Sequence, residues 1–256
     1  MFSATYFRYD GRWSGEFGLQ IVDFDSNDVV ESEVCTLTPT FQKASGSIRF
    51  LHGGIDCDSP PSCEFSVISE IEINAEMRSD ILAWLVGRKQ FKQLQFEGSD
   101  SDDFVYYCIF TSVKTIWVNG RCHGFRLTAQ FDSLYARGNP TQVTVESGTH
   151  EIQLFNKSVI NDSYTYPTVQ FAGQSVDIVN KTDDTSRHFT FSGLSSGEII
   201  TVDNEARYIA SNKSGEKLGK FTSKKWLRLV SGNNNLTIVS SGSVTITCPY
   251  YVMIGY

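Results

Sequence analysis

Apolar and polar positions alternate with two different periods along this chain. Between Ile73 and Gly87 the period is helical: Met77, Ile81, Trp84 and Leu85 stand at i, i+4, i+7 and i+8, one stripe of an amphipathic helix. Asn74 is placed to cap its start, with Glu76 and Asp80 near the positive end of the helix dipole. Gly87 can end it, and Arg88 and Lys89 suit its negative end. The stripe predicts a helix lying across a sheet. Around it the period is two. In Lys92 to Glu97, Leu94 and Phe96 alternate with polar residues; in Phe125 to Asp132, Phe125, Leu127, Ala129 and Phe131 do so. Both read as half-buried antiparallel strands.

The strand between them breaks this rule. Phe104, Tyr106, Cys108 and Phe110 share one face, and Val105, Tyr107 and Ile109 the other, so both faces call for burial. A second layer or a neighbouring subunit would supply it. Phe104, Val105, Tyr106, Tyr107 and Ile109 are therefore the candidate subunit-interface residues.

Before the helix, Asp10-Gly11 marks a turn between short strands, Gly15 and Gly18 bracket a bend, and Leu19, Ile21 and Phe24 enter a strand. Residues 45–66 read as loop-rich, with Gly53-Gly54 and Pro60-Pro61, and a strand follows through Phe65, Val67, Ile68, Ile71 and Ile73. Gly138-Asn139-Pro140 marks a boundary, which predicts domains over 1–138 and 139–256. Beyond it lie short strand candidates at Gln142 to Glu146, Glu151 to Phe155, Thr168 to Phe171, Val176 to Val179, His188 to Phe191, Ile199 to Asp203, Trp226 to Val230, Leu236 to Val239, Val244 to Thr247 and Tyr251 to Gly255. Gly232 to Asn235 and Ser241-Gly242 read as hairpin turns. No helix fits between these segments, so a β-sandwich or jelly roll is expected.

Composition and charge narrow the function. Eighteen Phe and eleven Tyr in 256 residues favour sheets. The net charge of −7 is uneven: residues 1–140 carry 12 Lys+Arg against 19 Asp+Glu, and residues 141–256 carry 10 of each. No basic patch of nucleic-acid-binding type is present; Lys220 to Lys225 reads as a solvated strand end. The N-terminal residues do not read as a signal peptide, and no apolar run approaches the ~20 residues of a membrane helix. Folding in a cytoplasm, with six free thiols, is the expectation.

Catalytic chemistry finds no foothold. The four histidines fit no metalloprotease pattern, and no nucleophile elbow, phosphate loop or dinucleotide fingerprint is present. Cys57, Cys63 and His52 lack zinc-ligand spacing, and the run Asp100 to Asp103 lacks the spacing and terminal Glu of a calcium loop. No catalytic, metal or cofactor site is assigned.

The order of motifs is distinctive. F-R-Y-D-G-R-W-S-G-E-F-G-L-Q-I at the start, then I-L-A-W-L-V-G-R-K-Q-F-K-Q-L-Q-F-E, F-V-Y-Y-C-I-F and H-G-F-R-L-T-A-Q-F-D, resembles the phage distal tail protein family of long, non-contractile tails. Tyr166 to Val169, Ile178 to Asn180, Gly197 to Asp203 and Ser231 to Ile238 resemble that family's C-terminal β-sandwich in the same order, with Ser231 where a proline is usual. The resemblance implies a mainly β chain with one helix: an N-terminal split β-barrel or sandwich carrying the helix, and a C-terminal galectin-like β-sandwich. It implies a non-enzymatic hub at the virion's tail tip, assembled in the bacterial host cytoplasm. Six copies would form a ring, or two stacked rings. The ring would join the major tail tube protein to the tail-associated fibre or lysin protein and, where present, to receptor-binding proteins. DNA would only pass through the lumen, and no membrane would be entered. A free-standing carbohydrate-binding, lectin-like protein is the alternative.

Overall fold

The helical stripe becomes one α-helix, α1 (Ala75–Val86), and the period-two segments become antiparallel strands. The computed structural model describes residues 4–22, 37–43, 50–57, 61–97, 103–158 and 164–253, with 37–43 and 50–57 described for the backbone alone. The chain divides into one unit within Met1–Ala136 and another over Arg137–Met253.

The strands of the first unit are β1 (Tyr6–Tyr9), β2 (Arg12–Trp13), β3 (Gln20–Val22), β4 (Leu37–Lys43), β5 (Phe50–Cys57), β6 (Ser62–Ile68), β7 (Lys92–Glu97), β8 (Tyr106–Val118) and β9 (Arg121–Phe131). Seven of them form one sheet in the order β2-β1-β7-β8-β9-β6-β3, while among the described residues β4 and β5 pair only with each other. Register explains why one face is dry. Phe7 stands opposite Phe96, Leu94 opposite Tyr106, Cys108 opposite Phe131 and Phe65 opposite Leu127. Period-two side chains from five strands thus meet on one side, and all of these are buried. The sheet curls so that its β3 end approaches the chain just before β1: Ile21 N–H donates to the Thr5 carbonyl at 2.9 Å.

Helix α1 covers the dry face. Its stripe lands as expected, with Ile81, Trp84 and Leu85 buried and Met77 packed against the core. The Trp84 indole stacks on Phe7 (centroids 5.5 Å apart) and Phe17 (5.3 Å), and its Nε1–H donates to the Tyr9 carbonyl at 2.8 Å. Asn74 Oδ1 accepts from Met77 N–H at 2.9 Å, the expected cap. The Asp10-Gly11 turn has φ of 47° and 85°, the doubly positive pattern that suits Asp-Gly in a two-residue hairpin.

Two expectations for this unit need correcting. Residues 45–66 are not mainly loop, because Gly53-Gly54 lies inside β5 and Ser62 to Ser66 inside β6. The following strand stops at Ile68: Ile71 is 62% exposed, and Ile73 is buried in a connection where its N–H donates to the Cys122 carbonyl. Phe24 lies outside the described residues.

The second unit is a β-sandwich built from β10 (Tyr135–Val145), β11 (Gly148–Asn156), β12 (Thr168–Ala172), β13 (Val176–Asn180), β14 (His188–Phe191), β15 (Ile199–Asp203), β16 (Tyr208–Ser211), β17 (Gly232–Ser240) and β18 (Ser243–Met253). One sheet runs β10-β18-β12-β15-β16 and the other β11-β17-β13-β14. Val169, Phe171, Ile200, Val202, Val244 and Ile246 of the first and Leu154, Ile178, Phe189, Phe191, Leu236 and Ile238 of the second belong to one buried cluster. Phe221, from a connection, stacks on Phe191 at 4.7 Å.

Here too the structure departs from the pattern. Trp226 to Val230 is no strand; Leu229 makes one isolated bridge, to Thr165. Side chains take the place of a partner strand. Asn204 Oδ1 accepts from Leu227 N–H, Asn180 Nδ2 donates to the Arg228 carbonyl, and Asn234 Oδ1 accepts from Val230 N–H. Gly232 to Asn235 is not a turn but the start of β17, with Asn234 fully buried among these bonds. Ser241-Gly242 does turn the chain, yet it carries it from one sheet to the other and joins no hairpin. Strand β16 is an addition, and Gly138-Asn139-Pro140 lies within β10.

Candidate assembly surface

Strand β8 and the two residues before it divide the five candidate residues between two environments. Tyr106 is 6% exposed and packs on Phe96 and Phe131 at 5.8 and 5.6 Å, and Phe104 packs against the same core. Val105, Tyr107 and Ile109 are half-buried on the other side of the strand. That outer face is otherwise polar. Gln93 Nε2 donates to Tyr107 Oη at 2.9 Å, Thr128 Oγ1 donates to Glu64 at 3.3 Å, and Arg126 pairs with Glu64 at 3.6 Å. The doubly apolar pattern therefore has two causes: one face fills the unit's own core, and the other leaves a short apolar row on a polar sheet surface.

Sequence reasoning missed the rest of this hairpin. Strands β8 and β9 continue past the core to a turn at Asn119-Gly120, with φ of 50° and 78°. The dipeptide Asn-Gly was the available signal. Near the tip Trp117 and Val118 are 53% and 50% exposed. Trp117 Nε1–H donates to Thr115 Oγ1 at 2.9 Å, and the Arg78 guanidinium lies 5.3 Å from its ring. The ladder is irregular twice: Thr111 is an extra residue on β8, and His123 an extra one on β9.

In the second unit the outer face of the four-stranded sheet forms a shallow open groove lined by Glu151, Gln153, Lys181, Asn235 and Thr237, among others. Lys181 Nζ lies 2.6 Å from Glu151 and holds its carboxyl below the usual range. Further along that face Asp177 accepts from Thr190 Oγ1 at 2.7 Å and pairs with His188 Nδ1 at 2.9 Å, so the hydroxyl is committed to the carboxylate. Glu198, fully buried, is bound by Lys217, by Ser195 N–H and by Ser211 Oγ, and these hold its carboxyl far below the usual range.

Among the described residues no three His, Cys, Asp or Glu side chains converge as metal ligands. Cys63, Cys108, Cys122 and Cys248 are buried free thiols, and burial pushes Cys63 up to about 12 and Cys248 to about 11. The side chains of His52 and Cys57, and residues 100–102 of the acidic run, lie outside the described residues. No described helix is long and apolar enough to cross a membrane.

Comparison with known proteins agrees with this picture of packed β units. Residues 2–133 match a family described as the phage tail protein N-terminal domain, and residues 135–248 one described as the phage tail C-terminal domain. The fold is similar to that of the Dit protein of phage SPP1, described as a paradigm of hub adsorption apparatus in phages infecting Gram-positive bacteria. That likeness has a TM-score of 0.69 at 12% identity and covers 98% of this chain and 100% of the other. It is also similar to a chain of the phage p2 baseplate in its activated, strontium-bound conformation, with a TM-score of 0.53 at 10% identity over 96% and 98% of the two chains. No curated protein sequence matches the chain. With both domain families matched in order over nearly its whole length, this chain belongs to the phage tail proteins and carries a Dit-like fold.

Proposed function

We propose that this protein is the distal tail hub of a long, non-contractile phage tail. Six copies close into a ring through the N-terminal domain (1–138), as one ring or two stacked ones. One face of the ring seats on the tail tube protein and the other on the tail-associated fibre or lysin protein. The C-terminal domain (139–256), a galectin-like sandwich in this reading, projects outward and holds receptor-binding proteins where a phage has them. Val105, Tyr107 and Ile109 meet the neighbouring subunit, and Phe104 and Tyr106 support them from the core side. The excess of acidic residues over 1–140 lines part of the lumen and lets DNA slide past without sticking.

The observation that carries this reading is the likeness to the SPP1 Dit fold along both units of the chain. Light scattering and negative-stain imaging of the purified protein test it. The expected result is a six-fold ring with a central hole and a mass six times the 28.7 kDa protomer. Compact monomers that bind a saccharide would replace it with the lectin reading. Tyr107→Asp is expected to give folded monomers, because a charge buried without a partner disfavours the contact. An intact ring in that variant would move the interface elsewhere.

A further inference from the structure

The two sides of the β8–β9 hairpin are treated unequally. The β9 side is closed throughout. β6 pairs with it up to Gly124, and beyond that Ser69 N–H donates to the His123 carbonyl at 2.7 Å and Ile73 N–H to the Cys122 carbonyl at 2.8 Å. The β8 side is closed only at its root, where β7 pairs with Tyr106, Tyr107 and Cys108. From Ile109 to Val118, among the described residues, no strand pairs with the outer edge of β8.

That edge carries one bulge, at Thr111, and one lysine, Lys114, and α1 packs near β8, yet its sequence still favours strand pairing. It reads I-F-T-S-V-K-T-I-W-V, with one charge, no proline and many β-branched or aromatic residues. A long edge of this kind invites another strand. The same chain holds a matching need. Among the described residues, β4 and β5 form a two-stranded ribbon of seven and eight residues that pairs with no other strand. Two strands alone are marginally stable in water and gain from a third.

We propose that the open edge of β8 is completed by the β4–β5 hairpin of a second copy of this chain. Each copy then donates one ribbon and receives one, a head-to-tail contact that closes into a ring when the rotation allows. Main-chain hydrogen bonds supply the contact, as in other strand additions. The donated ribbon also covers the apolar tip around Trp117 and Val118.

The proposal rests on the ring reading, and the experiment separates the two. A benzophenone amino acid replaces Lys114, which is exposed on the open strand. Oligomers are reassembled from equal parts of ordinary and nitrogen-15-labelled chain, irradiated and digested. Cross-links from residue 114 to peptides within 37–57, in mixed light–heavy pairs, are expected. Oligomers whose 37–57 cross-links are all within one isotopic form, or whose residue 114 captures other segments, overturn the strand donation and leave the ring standing. A chain that stays monomeric at every concentration overturns both.

Discussion

Replacing Trp84 with alanine removes the side chain that holds the helix of the first unit to its sheet. The indole is 3% exposed, stacks on Phe7 and Phe17, and gives the Tyr9 carbonyl its side-chain donor. Truncating a buried aromatic of this size costs about 3–5 kcal/mol. With a urea dependence of about 2 kcal/mol per molar for a domain of this size, the midpoint falls by roughly 1.5–2.5 M. The second unit has its own buried cluster, so its transition should not move. Hydrogen exchange followed by mass spectrometry across a urea series reads both units in one sample, without relying on the fluorescence of the removed residue. Peptides from α1, β1 and β7 should lose protection early, while those from β12, β13 and β17 keep the wild-type midpoint. Trp84→Phe keeps most of the stacking but leaves the Tyr9 carbonyl without its indole donor, and should cost about 1–3 kcal/mol. A loss below about 1 kcal/mol in Trp84→Ala would refute the role given to this residue, and an equal shift in both units would refute their independence.

Three further outcomes are expected. The carboxyl of Glu198 is depressed in the folded state, first by its hydrogen bond to Lys217 and then by Ser195 N–H. Its stabilisation is therefore complete above the ordinary carboxylate value of about 4.3 and is lost as pH falls toward the folded value. Glu198→Gln should lower the melting temperature of the second unit at pH 7 and flatten its acid branch; equal acid slopes in variant and wild type would contradict this. Asn234→Ala leaves Val230 N–H and the Asn180 amide short of a buried acceptor and should cost about 2–4 kcal/mol by denaturant titration. Asn233→Ala, on the exposed side of the same strand, should stay within about 0.5 kcal/mol. Alkylation of the native protein at pH 8 should spare Cys63, Cys108 and Cys248 and reach them only on unfolding, since burial disfavours their thiolates.

What could be read in the sequence was whatever its own side chains decide. α1, β7 and the root of β9 each show a full turn or several alternations of apolar residues, because each buries one face in its own unit. Trp226 to Val230 shows the same alternation and is still no strand, because its backbone partners are asparagine side chains, Asn180 and Asn204 far away in the chain and Asn234 four residues on. The Asn233-Asn234-Asn235 run looks like turn chemistry, yet Asn234 faces inward, where three local bonds and one from the distant Asn180 satisfy it. β5 was hidden by Gly53-Gly54, which contributes no alternation. Along 104–109 the apolar run was visible, but no count on one strand tells which face its own chain covers.

In the proposed ring, the two irregularities of the β8–β9 ladder would bear on how many copies it holds. A bulge bends its strand and increases the local twist. Thr111 and His123 place one such bend on each strand, at different heights along the arm. Deleting Thr111 would keep the pairs from Ser112 with Thr128 to Ile116 with Gly124 and would straighten the ribbon below them. In the proposed ring, the angle between neighbours follows the curvature of this arm. Subunit number would then be written in whole residues at positions outside the hydrophobic core, where a single insertion or deletion alters symmetry and leaves the protomer's stability nearly untouched.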